Sequence, residues 1–427
     1  MDIKKILNLL KKEMVVAMGC TEPAASALAG AKAFEILGCE PEKINIYASR
    51  DMIKNAMGVG IPNCSMRGIQ AAVCLGISGG DPENKLSILK VITEEQQKKA
   101  AEYLSFTELK MVEDVPPVYI KVELLGGGHS TECEISYEHD KFTSLKKDGV
   151  ELQNISRDDI NAKSQDHIMS REELIHLTLS DIVKFAETIP PNEIAFVLEG
   201  ARINMELARH SAENSYGLTV GKIVLQEIQD NPKTLSEAVD RGAGLAAAAS
   251  DARMSGCSKA VVINSGSGNQ GITCSVPVIA LAEYLGASEL DTTRALCISQ
   301  LVALTLTARK ERLSALCGAF TAAIGASCGF IYLLGGTQKQ MDMAMRTMVA
   351  NLTGIICDGA KDTCALKIYS CLEAAGLSCK LAMADLAPSS ESGIVGDDSN
   401  ETVKHLARIC HEGMLETDKT ILSIMLE

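Results

Sequence analysis

The chain has no tryptophan and few other aromatics, 7 Phe and 8 Tyr among 427 residues. Ring stacking therefore does not fill its core. Alanine, 34 glycines and 17 methionines suggest helices packed closely enough for backbones to approach one another. Positive charge is also short, with 41 Lys and Arg against 55 Asp and Glu, a net charge of −14. No basic stripe is available to neutralise phosphates, which argues against nucleic acid as a partner, and an anionic membrane surface is disfavoured for the same reason. The start of the chain is a charged amphipathic stretch with no apolar segment leading to a small-residue cleavage site, so no signal peptide is expected. No short-period repeat is evident. Long apolar runs are missing too, with one imitation. Leu313–Gln338 carries no formal charge and exceeds the roughly 18 to 20 residues a span requires. Its Gly, Ala, Ser, Thr and Cys content fits a buried helix better. A cytoplasmic protein is expected.

Cysteine, by contrast, is abundant at 15 residues. A small secreted disulfide framework does not fit a chain this long and unexported, so reduced, mostly buried thiols are expected. Apolar spacing predicts an amphipathic helix over 2–18, interrupted at Gly19–Pro23, and a second helix to about Leu37. Thr21 is the expected cap and Pro23 suits the first turn. Alternation predicts strands at Lys43–Ser49, Val118–Leu125, 131–138 and about 141–146, forming a small antiparallel sheet. Helices are expected at 67–78 and 92–104, and Lys54–Asn63 reads as a glycine-rich loop. Asp148–Gln165 is polar and reads as a linker. From about Arg171 helical periodicity dominates, through Leu174–Ala186, Ile194–Met205, Val220–Ile228 and Leu235–Ala249 to a last helix over Glu401–Ser423. The expected fold class is α+β, with a small mixed sheet-and-helix portion over 1–165 and a mainly α-helical portion over 166–427.

Two stretches carry candidate chemistry. Ser265–Gly271 contains G-x-G-x-x-G after a short apolar run, the pattern of a dinucleotide loop. However, no repeated βαβ pattern surrounds it and no clear second strand ends in a ribose-binding acid. An anion cradle for a small carboxylate, or a plain turn, remains open. Cys357 and Cys364 flank a segment with three charges and a glycine, and Cys317 lies forty residues earlier. Cysteine among Ala and Gly is commonly a small buried hydrophobe, the default for Cys297, Cys328, Cys371 and Cys379. Three thiolates would instead fit a cluster with one open iron, whereas structural zinc takes four closed ligands. Spacing alone leaves both readings standing. Cys20, beside a helix N-terminus, is expected to have a lowered thiol pKa.

Gly19–Pro23, Lys54–Pro62, Gly266–Ile272, Arg312–Gly318 and Ile355–Lys367 together resemble the iron–sulfur L-cysteine desulfidases. The wider relatives are the iron–sulfur L-serine dehydratases and a bacterial group similar to their alpha subunits. The motifs run in order along nearly the whole chain, and the C-terminal portion resembles the serine dehydratase alpha domain. The resemblance implies a [4Fe-4S] cluster held by Cys317, Cys357 and Cys364, with Cys20 as catalytic acid/base. It also implies that Ser265, Ser267, Asn269 and Gln270 hold a small amino-acid substrate. Lys54 and Asn55 are grouped with the substrate-binding residues, and His129 matches a family segment without an assigned role. Cys274, near the loop, is read as packing.

The implied reaction is α,β-elimination of L-cysteine to pyruvate, ammonia and sulfide, with no pyridoxal phosphate. The alternatives are L-serine dehydration on the same site, a non-catalytic metal-binding or redox-sensing protein, and a helical protein with buried thiols and no iron. The small-residue helices also allow subunit contacts, and a homodimer is one arrangement they permit. All readings with a site share one geometric expectation: the four cysteines converge in one pocket.

Overall fold

The computed structural model describes residues 2–18, 20–156, 169–228, 230–310 and 314–427. Helix α1 (Ile3–Glu13) is capped by the Asp2 carboxylate, which accepts from the Lys4 and Lys5 N–H groups, and it buries Ile6, Leu7, Leu9 and Leu10. It stops earlier than its periodicity predicts, because Val16–Met18 forms a short strand, β1. Helix α2 (Thr21–Leu37) is buried along almost its whole length. Strand β2 (Lys43–Ser49) follows, and the chain then re-enters a helix, α3 (Arg50–Ala56), capped by the Ser49 hydroxyl. Lys54 and Asn55 therefore lie on a helix and not in the glycine-rich loop read from sequence. Helices α4 (Gly68–Ile77) and α5 (Glu94–Leu104) form as expected.

Strands β3 (Thr107–Val112), β4 (Tyr119–Gly126), β5 (His129–Ser136), β6 (Phe142–Lys147) and β7 (Val150–Asn154) join β2 in one sheet ordered β3-β2-β4-β5-β6-β7. The sheet is larger than the expected small antiparallel one, and β2 pairs parallel to β3. Strand β7 occupies part of the supposed linker; residues 157–165 of that stretch lie outside the described residues. Alternation works as pleat geometry requires: Ile120, Val122 and Leu124 of β4 face inward beside Ile44 and Ile46 of β2. Together they pack on Leu28, Val73 and Ile77 from α2 and α4.

The remainder is helical: α6 (Arg171–Ile175), α7 (Leu179–Thr188), α8 (Pro191–Glu213), α9 (Val220–Gln226) and α10 (Leu235–Met254). Then come β8 (Ala260–Val262), α11 (Gly268–Leu285), α12 (Glu289–Lys310), α13 (Gly318–Leu333), α14 (Gln338–Leu352), α15 (Cys364–Met383), α16 (Ser399–Arg408) and α17 (Leu415–Leu426). The segment expected as one helix over Leu174–Ala186 is two, because Thr178 starts α7 with a capping box. The last helix is likewise divided, by a π-turn at Ile409–Gly413. The uncharged stretch after Leu313 contributes only α13, and among the described residues no helix is long and apolar enough to cross a membrane. The architecture is α+β with a mainly helical C-terminal part.

The chain ends cross between the two hydrophobic cores. Ile6 and Leu10 of α1 belong to the helical core, whereas Leu422 of α17 belongs to the core under the sheet.

Candidate active site

Two short antiparallel pairings assemble the cavity. Strand β1 pairs with β8 in the register Val16↔Val262, with the Ile263 N–H donating to the Val15 carbonyl at 3.0 Å. Buried Asn204 of α8 fixes β8 from behind: it accepts from the Val262 N–H at 2.7 Å and donates to the Val262 carbonyl at 3.0 Å. Cys20 follows β1 and Ser265 follows β8, so this pairing sets the two motifs side by side. The Thr21 hydroxyl completes the seam by donating to the Gly266 carbonyl at 3.1 Å. Thr21 is accordingly not the helix cap; Cys20 holds that position, and its side chain makes no capping bond.

A second pairing, Leu316↔Ile356, joins the other two loops. The Cys317 N–H donates to the Ile355 carbonyl at 2.9 Å and the Cys357 N–H to the Ala315 carbonyl at 2.6 Å. Cys317 and Cys364 stand at the N-terminal ends of α13 and α15, at the cap and the first residue respectively. Cys317, Cys357 and Cys364 all line one cavity of about 100 Å³, along with Lys54, Asn55, Ser265, Ser267, Asn269 and Gln270. Cys20 packs just behind the wall, against Cys364, Ala360, Val59 and Met254. Every site residue singled out from the sequence is thus in or against this cavity. Gly19, Arg312 and Leu313 of the quoted motifs lie outside the described residues.

The thiols are electrostatically unequal. The Cys317 thiol hydrogen-bonds to Cys357, which drives Cys317 well above its ordinary pKa, and burial adds to that. The same bond pulls Cys357 below its ordinary value against the opposing effect of burial, helped by the Lys54 ammonium, the Gly359 N–H and Lys310. Burial raises Cys364. It also pushes Cys20 up to about 12, with Arg253 pulling down, and Glu22 and Cys364 adding to the rise. This reverses the expected helix-end activation of Cys20: loss of hydration outweighs the dipole. Among the described residues, no three His, Cys, Asp or Glu side chains close on a single metal-ion position. A cluster does not require that, since each thiolate binds a different iron. Three soft sulfur donors in one buried cavity, with Lys54 and Lys310 to offset their negative charge, suit such a group.

The loop at the opposite wall is an anion cradle in form. Ser265 and Gly266 take φ of 53° and 77°, turning the backbone so that Ser267 caps α11. The Ser265 hydroxyl donates to Asn264 at 2.9 Å, and Asn264 donates to the Gln300 side chain at 2.7 Å. Gln270 is fixed by the Thr307 hydroxyl at 2.9 Å. The loop opens α11, where free N–H groups and the macrodipole favour a negative group.

The sequence reading missed four residues that also line this cavity: Arg253, Lys310, His139 and Glu22. Arg253 packs so closely over the helix start that a Cβ at Gly268 would lie 2.2 Å from its Nε. Its Nη1 donates to the Asn269 side chain at 3.3 Å. Two charges, Asp251 and Arg253, at the end of the Ala-rich run 246–249 were the legible signal. His139 arrives from the β5–β6 turn and had none. His129, by contrast, is exposed on the sheet and pairs with Asp148 at 2.8 Å, and Cys274 is fully buried in helix packing.

The cysteine loop depends on a glycine. Gly359 has φ of +91°, and a Cβ there would sit 2.1 Å from the Lys54 carbonyl oxygen. Backbone cannot give way as a flexible side chain can. Gly359→Ala is expected to lower stability by about 1–3 kcal/mol, read as a lower denaturant midpoint, with no change for an alanine at the open Gly354 position beyond about 0.5 kcal/mol.

Residues 83–423 match the family model described as the serine dehydratase alpha chain. A UPF0597 protein of Oleidesulfovibrio alaskensis is 40% identical over 424 residues, covering 99% of this chain and 97% of that protein. Another, from Bacteroides fragilis, is 39% identical over 426 residues, covering 99% and 97%. A third, from Lachnoclostridium phytofermentans, is 37% identical over 427 residues, covering 99% of each. The family match takes in Arg253, the 265–270 loop and the cysteine trio, while Cys20 and Lys54 precede it.

Proposed function

The chain belongs to the serine dehydratase alpha chain family, and from that premise we propose that it is a lyase performing α,β-elimination on a small α-amino acid, L-cysteine first and L-serine as the alternative. The observation that carries this reading is the convergence of three cysteines and a carboxylate-type loop on one buried cavity, with a fourth cysteine behind it. In the proposed reaction the Cα–H and Cβ–S bonds break and a Cα=Cβ bond forms. Sulfide leaves, and the released aminoacrylate hydrolyses to pyruvate and ammonia.

Cys317, Cys357 and Cys364 would hold a [4Fe-4S] cluster, which supplies an open iron as Lewis acid for the departing sulfur or oxygen. The Ser267–Gln270 helix start and Arg253 would hold the substrate carboxylate. That fixes which face of Cα meets the protein. Cys20 is assigned the exchange of the Cα proton. Its thiol stands protonated in the isolated chain, and a substrate ammonium in the cavity would add to the pull of Arg253 towards the thiolate. Lys54 and Asn55 border the same space. Fixed donors in a small cavity would also need no reorganisation to stabilise the carbanion-like transition state.

The deciding assay is pyruvate formation by the anaerobically reconstituted protein. Turnover of L-cysteine with stoichiometric sulfide is expected, with kcat/KM for L-serine lower by about tenfold or more. Equal or better turnover of L-serine would reassign the leaving group to water. Absence of pyruvate from either amino acid in an iron-loaded protein would overturn the reading and favour metal binding without catalysis.

A further inference from the structure

The cavity contains an ammonium whose fixed partner comes from the far end of the chain. Lys54 is among the largest fully buried side chains, 1% exposed. A buried cation is costly unless paired. Its Nζ donates to Asp418 Oδ1 at 2.5 Å, and Asp51 Oδ1 lies farther off at 3.7 Å. The Arg50 guanidinium holds the other Asp418 oxygen at 3.7 Å and reaches Asp51 at 4.0 Å. Two cations and two carboxylates thus form a balanced set on α3 and α17. Burial lowers the Lys54 pKa, but Cys357, Asp418 and Asp51 outweigh it and hold the ammonium charged. Helix α17 is anchored where it is by Leu422, buried in the core beneath the sheet.

We infer that Asp418 is a positioning residue: through its ion pair it holds the Lys54 ammonium at the cavity wall beside Cys357, which makes the C-terminal helix a structural part of the site. The inference rests on the reading of this cavity as the active site. Asp51 alone would not suffice. It is one turn from Lys54 on the same helix, its nearer oxygen is 3.7 Å away, and it shares Arg50 with Asp418. Without Asp418 the ammonium is free to leave the wall for solvent or to turn onto the Cys357 thiolate. Either movement changes charge and space in the cavity without altering any residue that lines it.

The test has an arm that does not need catalysis. The full chain is treated with acetic anhydride, and labelling of Lys54 and Lys310 is followed by mass spectrometry. Asp418→Asn is expected to raise the rate at Lys54 by about tenfold. Lys310, buried in the same cavity on a different helix, does not rise above the wild-type rate, because loss of the neighbouring Lys54 charge favours its own protonated form. Asp418→Glu keeps the charge and displaces it by one methylene; a rise of about threefold is expected. No rise at Lys54 in whichever of these variants folds overturns the assignment, and so does a parallel rise at Lys310, which marks general loosening. In the reconstituted enzyme, Asp418→Asn is expected to cost about tenfold in kcat/KM and to cost nothing further in a Lys54→Met background. Additive losses would overturn positioning through Lys54. A wild-type enzyme with no elimination activity, yet with the labelling contrast intact, would overturn the catalytic reading and leave the Asp418–Lys54 role standing.

Discussion

Serine in place of Cys317, Cys357 or Cys364, one at a time, is expected to leave a folded protein that no longer turns brown on anaerobic treatment with iron and sulfide. All three line a single cavity, and a hard hydroxyl is a poor substitute for a soft thiolate on iron. Iron affinity should fall by at least about 100-fold, the upper range for disturbing even the residues that only orient metal ligands. Pyruvate formation should vanish with it. The three substitutions are not expected to be equivalent in the cluster-free chain. Cys357 is the thiol whose pKa is pulled down, by the Cys317 hydrogen bond first and by Lys54 and Lys310 after the opposing effect of burial. Removing it takes away the most readily formed thiolate, so Cys357→Ser should also slow the initial uptake of iron at neutral pH. A serine variant that retains the full visible absorbance and iron content of the parent would remove that cysteine from the ligand set. Three such results would end the cluster reading.

Cys20→Ala is expected to give the opposite pattern: cluster absorbance intact, turnover lost. The side chain lies behind the cavity wall against Cys364 and caps nothing, so its truncation leaves the N-terminus of α2 bonded as before. Loss of a positioned acid/base group lowers kcat by about 10²- to 10⁴-fold. The pH dependence should carry a signature as well. Burial raises the Cys20 thiol to about 12, with Arg253 opposing. A thiol of that character is protonated throughout the neutral range, so the rate of the wild-type enzyme should climb as pH rises and more of the base form appears. Arg253→Met should steepen the requirement for high pH, because it deletes the charge that lowers the thiol's pKa. The same variant should raise KM if Arg253 also holds the substrate carboxylate. Undiminished turnover by Cys20→Ala would exclude the thiol as the proton-transfer group and turn attention to His139, the histidine that lines the cavity.

The readable parts of the fold were those with a strong local period. Ile44, Ile46 and Ala48 alternate, and β2 begins and ends where the alternation does. The helix at 68–77 is an apolar run buried on nearly every side, and the one at 94–104 opens with a Thr93 capping box. What failed did so for local reasons too. Glycines 58 and 60 made the preceding Lys54 and Asn55 look like loop residues, although Ser49 caps a short helix that contains both. Helix α1 was overextended because Val16–Met18 continues an apolar pattern, while its strand character exists only through Val262. A partner more than two hundred residues away leaves no trace in a local window.

The candidate site divides along the same line. From the sequence came the cysteine trio and the 265–270 loop as candidates with plain core and turn readings still open, and the resemblance to the iron–sulfur desulfidases implied that they and Cys20 form one site. The tertiary structure decided three other things. It brought Cys20 to Ser265 by the β1–β8 pairing and Cys317 to Cys357 by the Leu316↔Ile356 bridge. It added Arg253, Lys310 and His139 from segments that read as ordinary helix and turn. It also reversed the sign expected for Cys20, since a helix N-terminus can be recognised in a sequence but the degree of burial cannot. Motif chemistry is local and so is written in the chain. Desolvation and the pairing of distant charges, such as Lys54 with Asp418, depend on what surrounds a group in three dimensions, and only the packed structure determines that.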